Sequence, residues 1–252
     1  MKYEMDARVR FSEIDEYDHM TISALINYMQ DCCTFQSEDC GYELEKLRSK
    51  HMGWFLLSWK IELHALPKMG DRIKVQTWVS NYNGLFANRW FEIVDAKGSV
   101  MARVLSIWTL MDVAKLRVMR IPEEMKTAYC FDDPIPGNFG GRKMKSPERG
   151  ELRGEFTVET IHLDTNHHMN NARYIEVAKE MLPDGFEIHF LEVEYRKQAV
   201  LGDHVKIEVI ESETNMNFPD GVISDGSAYS RSVTVLLKND EDEIYAVIDF
   251  LE

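Results

Sequence analysis

The sequence predicts an α+β protein built from two copies of one unit, each a helix followed by an antiparallel sheet. Three observations carry this. First, Arg10-Phe11-Ser12-Glu13-Ile14-Asp15-Glu16-Tyr17-Asp18-His19-Met20 reads like Ile161-His162-Leu163-Asp164-Thr165-Asn166-His167-His168-Met169, with Asp15 on Asp164 and His19-Met20 on His168-Met169 at an offset of 149. Second, each cluster precedes an apolar pattern of helical period. Third, alternating strand-like runs follow in both halves, and Met69-Gly70-Asp71 matches Leu201-Gly202-Asp203 at an offset of 132.

In the first half, Ile22, Leu25, Ile26, Met29 and Cys33 recur on one helical face, and Cys40-Gly41 supplies a stop. In the second, Ala172, Ile175, Ala178 and Met181-Leu182 repeat the pattern until Pro183-Asp184-Gly185. The two offsets leave 17 extra residues between helix and strand in the first half, which suit a short helix over Tyr42 to Lys50. Alternation marks strands at Trp59 to Leu63, Ile73 to Val75, Phe86 to Val94, Ala102 to Met111, Leu191 to Tyr195, Val205 to Ile207, Ser230 to Leu237 and Ile244 to Phe250. The Pro- and Gly-rich stretch from Pro134 to Lys143 reads as a linker crossing a surface. The expected division is a first repeat at 1–130, a linker at 131–150 and a second repeat at 151–252. An apolar helix needs cover on most sides, and a strongly curved sheet wrapping it would give that cover.

Composition narrows the function. The chain of 252 residues is 44% hydrophobic and 11% aromatic, values of a globular protein with a substantial core. A net charge of −14 argues against nucleic acid or an anionic membrane as partner. No apolar run is long enough to span a bilayer. Met1-Lys2-Tyr3-Glu4-Met5-Asp6 lacks the layout of a secretion signal. The four cysteines, at 32, 33, 40 and 130, form neither a metal-ligand pattern nor a disulfide framework. A cytoplasmic location with reduced thiols is therefore expected.

The most informative stretch is Leu163-Asp164-Thr165-Asn166-His167-His168-Met169-Asn170-Asn171-Ala172-Arg173-Tyr174. A carboxylate, a carboxamide and an imidazole at 164, 166 and 168 would share one side of an extended backbone. Such a group can position water against a carbonyl. As a calcium loop the segment fails, since Met169 occupies the sixth position and Ile175 the twelfth. The alternative reading makes Asp164 and Asn170 helix caps and the histidines polar filler.

Several motifs, spread from about Ala7 to Leu251, resemble the acyl-acyl carrier protein thioesterases, plant plastid and bacterial alike. They are Leu163-Asp164-x-Asn166-x-His168-x-Asn170-Asn171-x-x-Tyr174, Glu194-Tyr195-Arg196-Lys197, Gly70-Asp71 with Thr77-Trp78-Val79-Ser80, Trp108-x-Leu110-Met111-Asp112, and Arg120-Ile121-Pro122-Glu123-Glu124. The resemblance implies a double hotdog fold and hydrolysis of acyl-acyl carrier protein to free fatty acid, without metal or other cofactor. It implies Asp164, Asn166, His168 and Gln198 as catalytic residues, with Asp164 or an Asp164-oriented His168 taking a proton from water. Main-chain N–H groups over Asn170 to Arg173 would hold the oxyanion. An acyl pocket against the first helix would be lined by Met20, Ile26, Met29, Trp54 and Phe55. Where the plant family usually carries Glu-Cys, this chain has Gln198-Ala199, which excludes a covalent cysteine mechanism at that position. The first copy has Tyr17 where the second has Asn166, and reads as a degenerate copy left for substrate binding.

Acyl carrier protein is the expected partner, and a monomer or homodimer the expected assembly. Because carrier proteins are acidic, docking needs a local basic patch, and Arg142-Lys143-Met144-Lys145 with Arg149 and Arg153 is the densest basic run. Competing readings are an acyl-coenzyme A thioesterase of the same fold and a non-catalytic acyl-binding hotdog protein. A hotdog dehydratase fits less well, as its His-Phe-Pro-type loop is absent.

Overall fold

Alternating apolar positions produce eleven strands, and the computed structural model describes them within residues 1–213 and 231–252. Two units emerge, one comprising Met1–Leu57 and Leu63–Pro136, the other Ser58–Glu62 and Gly137–Glu252.

The first unit holds β1 (Tyr3–Arg8), β2 (Met52–Leu63, shared in part with the second unit), β3 (Arg72–Asn83), β4 (Phe86–Asp95), β5 (Val100–Asp112) and the short β6 (Arg117–Met119). Its strand order is β1-β3-β4-β5-β2, with β6 on β5. Helices α1 (Ile22–Asp39), α2 (Leu44–Ser49) and α3 (Glu123–Ala128) complete it. The expected start and stop of α1 are visible in atoms. Thr21 caps it by accepting the Ala24 N–H, and Gly41 at φ 75° follows the end. Ile22, Leu25, Ile26 and Met29 are buried as the period requires. The buried stripe then runs through Cys32 and Gln36 rather than Cys33. A buried glutamine was invisible to the hydropathy pattern.

The second unit contains β7 (Glu151–Thr157), α4 (Asn171–Lys179), β8 (Phe190–Tyr195), β9 (His204–Ser212), β10 (Ser232–Lys238) and β11 (Ile244–Leu251). Its order is β7-β9-β10-β11-β8, followed by the Ser58–Glu62 segment of β2, which pairs with β8. Strand for strand this is the first unit's order, so the repeat read from short dipeptides extends to topology. Ser230, expected to open the strand now labelled β10, lies outside the described residues.

One expectation is corrected. The second helix is not long: α4 spans nine residues, and Met181 and Leu182 lie beyond it in a turn. Only Ala172, Tyr174, Ile175 and Ala178 are buried on it, an apolar face too short to sustain more turns. Strand β8 is buried on both faces. Glu192 and Glu194 alternate with Leu191 and Val193, yet all four are buried. The linker covers the glutamates' face. Met144 packs on Leu236 and Val247, its N–H donates to Glu194 Oε2 at 3.1 Å, and Arg196 donates to both Glu194 and the Met144 carbonyl. Beneath the same strap Lys60 pairs with Glu192.

Candidate active site

Asp164 shapes the loop that carries the candidate residues. After a 3-10 turn at Thr160–His162, Leu163 bridges to Met169 and closes a tight loop. The Asp164 carboxylate Oδ1 accepts the N–H groups of Asn166 at 2.7 Å and His168 at 3.3 Å. Its own N–H donates to the His168 carbonyl at 2.8 Å, and His167 sits at φ 62°. This is an Asx-type turn, in which a short carboxylate outcompetes extended backbone for the nearby donors. The expected extended segment is therefore absent, and with it the reason for three side chains to share one side. Asp164 reaches His168 through the main chain, not through the imidazole. Asn166 is exposed and His168 half-buried.

The first unit builds the same loop. Asp15 Oδ1 accepts the N–H groups of Tyr17 and His19, both at 3.0 Å, the Asp15 N–H donates to His19 O at 2.8 Å, and Asp18 has φ 64°. The anchoring contacts repeat as well: Met20 N–H donates to Pro67 O, and Met169 N–H to Ala199 O. The turns beyond them place Gly70 at φ 85° and Gly202 at φ 87°, a region only glycine enters without strain. The Asp-x-x-x-His spacing is thus a loop-building device, used twice. The second copy differs in its polar side chains, with Asn166 in place of Tyr17, His167 in place of Asp18 and Asn170-Asn171 in place of Thr21-Ile22.

Asn170 caps α4, accepting the Ala172 N–H at 2.9 Å. Asn170 N–H donates to His162 O and Arg173 N–H to Asn170 O. The main-chain N–H groups of Asn170, Ala172 and Arg173, expected to help form an oxyanion hole, are therefore engaged. Gln198 is exposed, and its neighbour Ala199 is fully buried and pinned from both sides. The Ala199 carbonyl accepts from Met169, while its N–H donates to the Tyr174 hydroxyl at 2.9 Å. Burial pushes the Tyr174 phenol up to about 12, so it stays protonated. Its ring stacks edge-on against Tyr195, whose hydroxyl donates to Asn171 O. Tyr174 belongs to the sequence motif, but its role in joining α4 to the loop after β8 that bears Gln198 is visible only in the fold.

The residues expected to line an acyl pocket divide. Met20, Ile26 and Met29 are fully buried in the first unit. Trp54 and Phe55 are adjacent on β2, and strand geometry sends them to opposite faces. Trp54 packs with Tyr42, Tyr82 and Trp108 on a cluster of Leu47, Val79, Ala87, Leu110, Ile121, Met125 and Tyr129, while Phe55 lies beside Gly53. In the basic run, Met144 is buried, Arg142 lies 4.0 Å from Glu194, and Arg153 pairs with Glu151 and Glu211. Lys143, Lys145 and Arg149 are exposed, as is Arg153, whose charge its two glutamates offset.

Residues 1–129 match the model of the acyl-ACP thioesterase N-terminal domain, and residues 145–246 match that of the C-terminal domain, in that order. The chain belongs to the acyl-ACP thioesterase family. Among curated relatives, oleoyl-acyl carrier protein thioesterase 2 of Arabidopsis thaliana is 24% identical over 90% of this chain and 66% of its own length. A palmitoyl-acyl carrier protein thioesterase of Gossypium hirsutum is 25% identical over 76% and 50%. The chain spans about half to two thirds of the length of such relatives. The crystal structure of an acyl-ACP thioesterase from Bacteroides thetaiotaomicron superposes with a TM-score of 0.83 at 21% identity, covering 99% of this chain and 97% of that one. The 12:0-ACP thioesterase from Umbellularia californica gives 0.81 at 19%, covering 99% and 93%. Both likenesses are of fold.

Proposed function

We propose that this chain hydrolyses acyl-acyl carrier protein thioesters to a free fatty acid and the carrier thiol, on a double hotdog scaffold with the site in the second repeat. The observation that carries the reading is the Leu163–Asn170 loop seated against the capped start of α4, inside a chain matched by both family models in order. Asp164 fixes the loop through the Asn166 and His168 N–H groups. His168 takes the proton as a water oxygen adds to the thioester carbon, and returns it to the sulfur when the C–S bond breaks. Asn166 and Gln198, both exposed beside it in sequence or through Ala199, orient the water or the carbonyl. The reaction consumes water and needs no cofactor. Acyl chains of medium or long length, a role in fatty acid synthesis and a reducing, cytoplasm-like compartment complete the proposal; the four unpaired thiols suit that compartment.

An acyl-coenzyme A thioesterase is the second reading, since Lys143, Lys145 and Arg149 are few cations for an acidic carrier. Comparing kcat/KM for one acyl chain on the two thiols decides between them. Undiminished hydrolysis in both Asn166→Ala and His168→Ala variants would remove the assignment of the site. Charge reversal at Lys143, Lys145 and Arg149 that leaves turnover on carrier protein unchanged would remove that run as a docking surface.

A further inference from the structure

Arg89 is a buried cation with neutral partners. It sits on β4, 7% exposed, on the sheet face that carries Thr77 and that α1 packs against through Gln36. Its Nη1 donates to Gln36 Oε1 at 2.5 Å and to Thr77 Oγ1 at 3.2 Å, and its guanidinium lies 5.1 Å from the Tyr129 ring centroid. Among the described residues no carboxylate stands within ion-pair distance of it. An unpaired buried charge is costly, and proteins keep one where something answers it.

The surroundings are equally unusual. Gln36 is fully buried, and its Nε2 has no hydrogen-bond partner. The Tyr82 hydroxyl is sealed from solvent and also unpartnered. Tyr82 pairs with Ala87, two residues before Arg89 on β4, and packs in the cluster of Tyr129, whose ring the Arg89 guanidinium faces; burial pushes the Tyr82 phenol up to about 12 while the Arg89 charge pulls it down. Arg89 acts in the same way on Tyr129, Cys33 and Cys40. Around this island lie the Trp54–Tyr129 and Ser37–Tyr129 hydrogen bonds, at 3.2 and 3.0 Å. Gln36 Nε2 is a donor and the Tyr82 hydroxyl can donate, both beside a positive charge. Buried donors without partners call for an explanation, and the missing partner must be an acceptor, preferably anionic.

We propose that Arg89, Gln36 and Tyr82 form a receptor for the carboxylate of an alkyl chain. The carboxylate has two possible sources, the far end of an ω-carboxylated acyl group on the substrate or a free fatty acid. The substrate source rests on the reading that the first unit takes the acyl chain.

Binding of hexadecanoate and of hexadecanol to the full chain, followed through Trp54-sensitive fluorescence and calorimetry, tests the receptor directly. The expected result is a preference for the acid of at least about tenfold, abolished in Arg89→Met and reduced in Gln36→Leu and Tyr82→Phe. Tyr82→Phe removes one hydroxyl and stands in if Arg89→Met does not fold. An acid-to-alcohol ratio near one in the unaltered protein, or one that Tyr82→Phe and Gln36→Leu leave unchanged, would overturn the proposal. The source follows from turnover. An ω-carboxyacyl thioester favoured over its methyl-ended counterpart, with the preference lost in Tyr82→Phe, assigns the site to substrate; inhibition by hexadecanoate with no such preference assigns it to free acid. Absence of all hydrolysis would count against the thioesterase reading and leave the binding result standing.

Discussion

Replacing Asp15 and Asp164 separately by alanine separates a structural role from a chemical one, because the two loops are copies. Each aspartate holds two main-chain N–H groups, at 2.7 and 3.3 Å for Asp164 and at 3.0 and 3.0 Å for Asp15. Removing a carboxylate that caps main-chain donors at a partly exposed site costs about 0.5–2 kcal/mol. At about 2–4 °C per kcal/mol for a chain of this size, either substitution should lower Tm by a few degrees, and by similar amounts. Their effects on turnover should differ. With the Asp164 clamp gone, His168 and Asn166 shift by about an ångström, enough for roughly 10²-fold in kcat. Asp15→Ala should leave kcat within a few-fold. Asp164→Asn keeps an oxygen acceptor at the same place, so it should retain most of the activity if Asp164 positions the loop and lose it if Asp164 is the base. Paired measurements of Tm and of steady-state release of free thiol give the answer. Equal losses of activity in Asp15→Ala and Asp164→Ala would refute the reasoning, as would full activity in Asp164→Ala.

His168→Ala should lower kcat by about 10²–10⁴ with little change in Tm, measured in the same assay. Stability should depend on pH through the charges under the linker. Burial pushes the Asp249 carboxyl from its ordinary 3.8 up to about 6, so between these values the folded state holds a proton that the unfolded chain releases. Stability therefore falls as pH rises through that window, by at most about 3 kcal/mol at ~1.4 kcal/mol per pH unit, and Asp249→Asn should flatten the slope in urea titrations. Burial likewise lowers the Lys60 ammonium to about 8, so stability should rise between about 8 and 10.5, where only the unfolded chain keeps that proton. Gly150→Ala would place a methyl 2.8 Å from both Val209 O and Ile210 Cδ1, and should cost about 1–3 kcal/mol in denaturant midpoint; a change under about 0.5 kcal/mol would contradict the packing seen there.

Local patterns in the chain determined the two-fold repeat, most strands, the start and stop of α1, and the capping role of Asn170. Each of these depends on neighbours in sequence, through side-chain period, turn residues or an Asx cap, and period and cap are written in the residues themselves. The strands β1 and β7 escaped notice because both are half-exposed edge strands with little apolar contrast, and α3 because six residues are too few to show a period. The candidate loop was located by sequence but not shaped by it. Whether Asp164 faces a substrate or its own backbone is settled by competition between hydrogen-bond partners, and only the folded loop shows that the backbone donors engage its Oδ1. Tertiary structure alone decided that Glu194 lies under Met144, that Glu192 meets Lys60, and that Gln36 and Arg89 meet inside the first unit. Those facts join residues far apart in the chain, and burial of a charge becomes visible only when the element that covers it is in place.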